Sequence, residues 1–224
     1  MTAEVDAGAF VVAVDGTAAS GKGTLARRLA AHLDFAYLDT GLLYRAVAFA
    51  VYRRLGRAEI SEEAAIEAAR TLDPASFDEA SLRTDEVANG ASQVAAIPAV
   101  REALVELQRR FAALPPGAKA GAILDGRDIG TVICPDADAK IFVDADVEVR
   151  AQRRVKELQE RGVAAIPARV LQEMRERDER DRSRSVAPLV PAEDAFVLDS
   201  TELDADAAFA AALYFVNSRN MFQA

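Results

Sequence analysis

The chain has 224 residues, 51% of them hydrophobic, and a formal net charge of −9. That length suits one α/β domain with insertions, and that charge excludes a general affinity for nucleic acid or anionic membranes, though not for a nucleotide met by locally clustered arginines. A single cysteine, Cys134, excludes an internal disulfide and any cysteine-built metal centre, and no apolar run reaches the roughly 18 residues of a membrane span.

Five short apolar runs each end in aspartate: Phe10 to Asp15, Phe35 to Asp39, Ala122 to Asp125, Lys140 to Asp144 and Ala195 to Asp199. Continuous runs of this length suit strands buried on both faces of a parallel sheet. Helices are predicted between them, over about 21–33, 41–55, 61–71, 85–96, 98–113, 146–161, 167–184 and 204–218. The alternation gives a doubly wound α/β fold, with ligands outside the carboxyl ends of the strands. Most of the five aspartates read as strand stops that cap the next helix. Residues 57–114, mostly polar and broken by Pro74, Pro98 and Pro115-Pro116, are long for one crossover and read as an inserted subdomain. Residues 150–167 carry Arg150, Arg153, Arg154, Lys156 and Arg161 before breaks at Gly162 and Pro167, and read as a lid. The whole chain, 1–224, is then one domain, with its core in 8–56, 115–149 and 168–224. The N-terminal MTAEVDAGAF has neither the basic start nor the apolar stretch of a signal peptide, so a cytoplasmic protein is expected.

The strongest motif is Gly16-Thr17-Ala18-Ala19-Ser20-Gly21-Lys22-Gly23-Thr24, placed after a strand and at the opening of a helix. Gly16 and Gly21 allow the backbone to turn its N–H groups onto phosphate oxygens, the helix start adds its positive end, and Lys22 supplies a cation for the β and γ phosphates. Gly23 stands where serine or threonine is usual, and Thr24 is displaced by one position. A nucleoside triphosphate, ATP, is the expected ligand of this loop.

Four further segments narrow the reaction: DTGLLYR (Asp39 to Arg45), VANGASQVAAIPAVR (Val87 to Arg101), LDGRDIGTVICPDADAKIFVDA (Leu124 to Ala145) and RERDERDRSRSVAPLVPAEDAFVLDST (Arg175 to Thr201). With the loop, they resemble bacterial cytidylate kinases over almost the whole chain. The resemblance implies a P-loop nucleoside-monophosphate-kinase fold: a five-stranded parallel sheet flanked by helices, a helical monophosphate-binding insert and a short lid. It also implies transfer of the γ-phosphate of ATP to CMP or dCMP. Mg²⁺ is then held mainly through phosphates and water, with no side chain assigned as a metal ligand. A monomer is expected, with no nucleic-acid or membrane partner. One departure is clear. The family's insert usually carries additional β-strands, whereas DPASFDEASLRT, Asp73 to Thr84, is too short for a meander.

Within these segments the residues can be read chemically. Arg45 and the Thr40 hydroxyl can reach an anion at the start of the second helix, and the resemblance gives them the CMP phosphate with Arg127 beside them. Asp39 and Tyr44 belong to the same motif. Arg127 also suits bridging the two reacting phosphates. Asp128 can accept from the cytosine N4 amino group, Arg101 can donate to the ring's acceptors and Ser92 can do either. Alone, these three would read as a turn aspartate, a surface arginine and a helix serine. Arg177, Asp181 and Arg184 lie at i, i+4 and i+7 on one helix face, and the resemblance places them on the sugar and its neighbouring groups. Asp178 and Arg182 read as solvated residues. Arg153 and Arg154 are the lid candidates for the transferring phosphoryl group. His32, the only histidine, is assigned no catalytic role. The competing readings are a kinase for another acceptor (UMP, AMP or shikimate) and a triphosphate-binding regulatory module.

Overall fold

A computed structural model describes residues 8–56, 60–74 and 77–220. All five apolar runs are strands: β1 (Phe10–Gly16), β2 (Ala36–Asp39), β3 (Gly121–Asp125), β4 (Ala139–Asp144) and β5 (Phe196–Asp199). They form one parallel sheet in the order β2-β3-β1-β4-β5. The helices follow the predicted segments within a few residues: α1 (Lys22–Leu33), α2 (Thr40–Leu55), α3 (Glu62–Arg70), α5 (Asp85–Val94), α6 (Pro98–Ala113), α7 (Val147–Glu160), α8 (Pro167–Arg182) and α9 (Ala205–Asn220). A 3-10 turn over Pro116–Ala118 was not predicted, nor were two further elements. One is the single turn α4 (Glu79–Leu82), and the other is a π-helical turn over Ile129–Ile133. No helix among the described residues is long and apolar enough to cross a membrane.

The central strand β1 is buried on both faces, as its continuous apolar run requires, and Val12, Ala13 and Val14 are inaccessible to solvent. On one side Val12, Val14, Ile141 and Leu198 pack with Leu25, Leu29 and Val216 from α1 and α9. On the other, Ala13 and Leu124 pack with Ile129, Ile133 and Ala112. The segment between β2 and β3 forms a cluster of its own, built on α2. Ala65, Ala69, Val94, Val100 and Leu104 bury themselves against Leu43, Val47 and Val51 of α2. The carboxyl end of β2 and the substrate motif on α2 are therefore carried on the same packed unit as α3 to α6.

Register sets the strand ends side by side. Asp39 pairs with Asp125, and Asp144 with Asp199, while β1 lies between β3 and β4 with Val14 beside Asp125 and Gly16 beside Val143. Chain connections diverge on either side of β1, so a crevice opens above its carboxyl end. At that point Gly16 has φ 146°, and a Cβ on it would overlap the Val143 carbonyl oxygen. Gly16→Ala is therefore expected to destabilise the fold by at least about 3 kcal/mol. Gly21→Ala, where φ is 91° but nothing lies within 4 Å of a Cβ, should cost only about 1–2 kcal/mol. Denaturant unfolding of the two variants checks the order.

Candidate active site

The loop from Gly16 to Thr24 is shaped by positive φ at Gly16, Ala19 (58°) and Gly21 (91°). Gly21 is the N-cap of α1 and brings no side chain to the cap, so the first amides of α1 are left for another acceptor. The loop is braced from below. Thr17 Oγ1 donates to Asp144 Oδ1 at 2.7 Å, Ser20 Oγ to the Thr17 carbonyl at 3.0 Å, and Ser200 Oγ to the Ser20 carbonyl at 2.9 Å. Lys22 Nζ lies 2.5 Å from Asp125 Oδ1. Burial holds its pKa below the usual lysine value, against the pull of that carboxylate. A Cβ on Gly23 would stand 3.0 Å from Oδ2 of the same carboxylate, a tight contact. Thr24 is exposed.

Beside this loop lies a group of arginines with few carboxylates among them. Arg127 Nε donates to Asp181 Oδ2 at 3.2 Å, and Arg184 pairs with Asp181 Oδ1. Burial would raise the Asp181 pKa, but Arg127, Arg184 and Arg177 together hold it below the usual carboxylate value. Arg177 itself is lowered to about 10, by burial first and then by the charges of Arg127, Arg45 and Arg184, with Asp181 opposing. Its Nε is buried without a partner, as is that of Arg184. Burial, then Arg83, Arg154 and Arg127, lower Arg45 as well, against Asp39. Arg45 Nη1 donates to the carbonyls of Leu82 at 2.9 Å and Thr84 at 3.3 Å. The Thr40 hydroxyl, predicted on the same anion, donates to the Asp125 carbonyl at 2.8 Å and so ties the start of α2 to the end of β3.

The three residues predicted to read a base are all buried. Arg101 pairs with Asp128, donates to the Ala95 carbonyl at 3.3 Å and lies 5.6 Å over the Tyr44 ring. Ser92 Oγ reaches Asp181 Oδ1 at 3.5 Å. The Tyr44 hydroxyl is buried without a hydrogen-bond partner at this junction. The two lid candidates separate. Arg154 adds its charge to the Arg45 group and pairs with Glu157 at 2.6 Å. Arg153 instead donates to the Ser200 hydroxyl at 3.1 Å and carbonyl at 2.6 Å, in the segment that braces Ser20.

Two readings from the sequence need correction. Asp178 is not a solvated residue. It is buried and accepts two hydrogen bonds from Arg150, at 3.2 and 2.6 Å, while Arg150 also donates to the Ala18 carbonyl at 3.3 Å. The signal was available, because Val170, Met174, Asp178 and Asp181 form the buried stripe of α8 at helical spacing. Nor do the strand-end aspartates cap helices through their side chains. Asp39 is the N-cap residue of α2 and makes no side-chain cap bond; its carboxylate faces Arg83 at 3.3 Å. Asp125 holds Lys22, Asp144 holds Thr17, and Asp199 accepts from Thr201 N–H at 2.9 Å. Asp15 accepts from the amides of Ile129 and Gly130, both at 2.8 Å, and so fixes the π-helical turn that follows Asp128. Burial pushes Asp15 up to about 7, although those two amides pull it down.

This arrangement suits two polyanions meeting end to end. One lies on the loop amides and Lys22, the other among the arginines of α2, α8 and the turn after β3. Arg177 carries the clearest electrostatic cost, since it is buried in a group of like charges and its Nε has no partner. Its lowered pKa means that the folded state disfavours the charged form, so the penalty is present in full below about pH 10. Arg177→Met should raise the unfolding free energy of the ligand-free protein by about 1–4 kcal/mol. It should also weaken binding of a monophosphate by at least about tenfold. Calorimetric unfolding and titration of the same variant check both signs.

Comparison with known proteins gives the family. The family model described as Cytidylate kinase matches residues 12–218. The chain is 61% identical over 210 residues to the cytidylate kinase of Paramagnetospirillum magneticum, covering 93% of this chain and 98% of that one. It is 60% identical to that of Methylocella silvestris, covering 93% and 94%. Among solved structures, an uncharacterized protein from Eubacterium ventriosum has the same fold, with a TM-score of 0.54, 14% identity, and 93% and 99% of the two chains covered.

Proposed function

We propose a division of labour among these residues from one premise: this chain belongs to the cytidylate kinase family, and it is an ATP-dependent kinase that phosphorylates CMP. dCMP is a second acceptor in this proposal. The observation that carries the assignment of roles is the arginine group around Asp181, with buried and unpartnered Nε atoms on Arg177 and Arg184.

The triphosphate of ATP lies on the amides of the Gly16–Thr24 loop. Lys22, which pairs with Asp125, turns to the β and γ phosphates. The CMP phosphate lies among Arg45, Arg127 and Arg177, with Arg184 and Asp181 toward the ribose. Arg127 spans both phosphates, and Arg154 follows the transferring group as its charge spreads over three oxygens. Arg153 acts from behind, by holding Ser200 under the loop. Thr40 positions α2 on β3. Asp128 accepts from cytosine N4, with Arg101 and Ser92 completing the base edge and the Tyr44 hydroxyl at the same junction. No general base is required, since the acceptor phosphate is already ionised near neutral pH; catalysis is positioning and charge stabilisation.

Mg²⁺ belongs to the same proposal. The residues fit it: Gly23 leaves open the space a Cβ would fill beside Asp125 Oδ2, and the Thr24 hydroxyl is exposed on the first turn of α1. Asp125 and Thr24 would hold its waters, with the phosphates as its main ligands. When bound it neutralises charge across the β and γ phosphates. The division into a core, an insert at about 57–114 and a lid at about 150–167 that close over the substrates is also part of this reading. So is action as a monomer in the cytoplasm.

Two variants test the roles. Lys22→Ala should lower kcat by at least about 10²–10³-fold, because the cation stabilises charge that develops in the transition state. A modest stability loss should accompany it, since Asp125 loses its partner. Turnover close to the parent's would refute the loop assignment. Asp128→Asn presents either a donor or an acceptor to the base, so the preference of CMP over UMP in kcat/KM should fall by at least about tenfold. An unchanged ratio would move Asp128 out of the base site.

A further inference from the structure

A short turn of the insert touches both Asp39 and Arg45. Residues 77–84 close around α4, whose N-cap Asp78 accepts from Ala80 N–H at 3.2 Å and whose last residue, Leu82, is buried. The three peptide carbonyls that follow are all taken by arginines from elsewhere. Arg45 of α2 donates to Leu82 at 2.9 Å and to Thr84 at 3.3 Å, and Arg161, at the end of α7, donates to the Arg83 carbonyl at 2.8 Å. One turn of the insert is thus gripped by the substrate helix on one side and by the lid helix on the other. The Arg83 side chain crosses back into the site. Its Nη2 lies 3.3 Å from Asp39 Oδ2 at the end of β2, while Glu79 takes the same nitrogen at 3.0 Å from the solvent side.

We propose that Arg83 is a further ligand of the acceptor phosphate, delivered by the shortened insert, with Arg161 fixing the turn that carries it. This rests on the kinase reading above. Arg83 stands beside Arg45 and contributes to the charge that depresses it. Its hold on Asp39 is long and single, which a phosphate dianion can replace with a shorter, charge-assisted bond. A chain without additional strands in the insert can thereby supply from a helical turn a cation that contacts the phosphate and a carbonyl that contacts the lid.

The test is steady-state kinetics with CMP, UMP and ATP on Arg83→Ala, Arg83→Lys and Arg161→Ala. The Arg83 side chain is 41% exposed, so its removal leaves the core untouched. Arg83→Ala should raise the KM of CMP about tenfold and that of UMP by the same factor, because the phosphate is common to both. The KM of ATP should stay within about twofold, with Arg83→Lys recovering part of the loss. Arg161→Ala should show the same pattern at smaller amplitude. A CMP KM unchanged in Arg83→Ala, or an ATP KM that rises equally, overturns the assignment of Arg83; an unchanged CMP KM in Arg161→Ala overturns the part given to Arg161. A parent protein that turns over no CMP would instead overturn the kinase roles themselves.

Discussion

Arginines crowd around Asp181 beside the phosphate loop, and the rest of the site is arranged around that local excess of positive charge. Arg45, Arg127, Arg177 and Arg184 converge there with Arg154 at the edge, and the carboxylates acting on them include Asp39, Asp128 and Asp181. Two like charges about 6 Å apart repel by roughly 3 kcal/mol at an effective dielectric constant of about 20. Burial adds to this by removing water from guanidinium groups such as that of Arg177, whose Nε is left unpaired. A protein keeps such a group only where a partner of opposite charge arrives. A nucleoside monophosphate brings a dianion, and the γ-phosphate of ATP brings more.

The scaffold has to hold these repelling groups in place, and it does so through backbone carbonyls and buried pairs. Arg45 is tied to two carbonyls of the insert, Arg127 to that of Gly126, and Arg150 to those of Ala18 and Ala145 as well as to Asp178. Asp15 extends the same logic to the turn after β3. By accepting from Ile129 and Gly130 it couples the strand that precedes the phosphate loop to the turn that presents Arg127 and Asp128. The phosphate loop and the turn carrying Arg127 and Asp128 are consequently joined across one seam between β1 and β3. Reacting groups then need little reorganisation once the substrates are bound.

Much of this was legible in the sequence because it is local. The continuous apolar runs gave all five strands, and the Gly16–Thr24 motif, in its strand-to-helix setting, gave the loop. The fold also brings Arg45, Arg127, Asp128 and Asp181, from separate motifs, into one electrostatic group. What sequence could not supply was the partner of each charge. Asp125, Asp144 and Asp15 look alike as strand-final aspartates, yet one faces a lysine, one a threonine and one two amides. Those choices depend on which strand lies beside which, through the crossed order of the sheet. Asp178 was misread because a run of charges looks solvated until its helical stripe is compared with the apolar residues before it. The turn α4 escaped because four residues give no periodicity.

A crystal structure of the protein with CMP tests the central claim most directly. The account predicts that the phosphate lies within hydrogen-bonding distance, about 3 Å, of Arg45, Arg127 and Arg177, with the Arg177 Nε no longer unpaired. A phosphate bound elsewhere, with the arginine group unchanged from the empty protein, would contradict it.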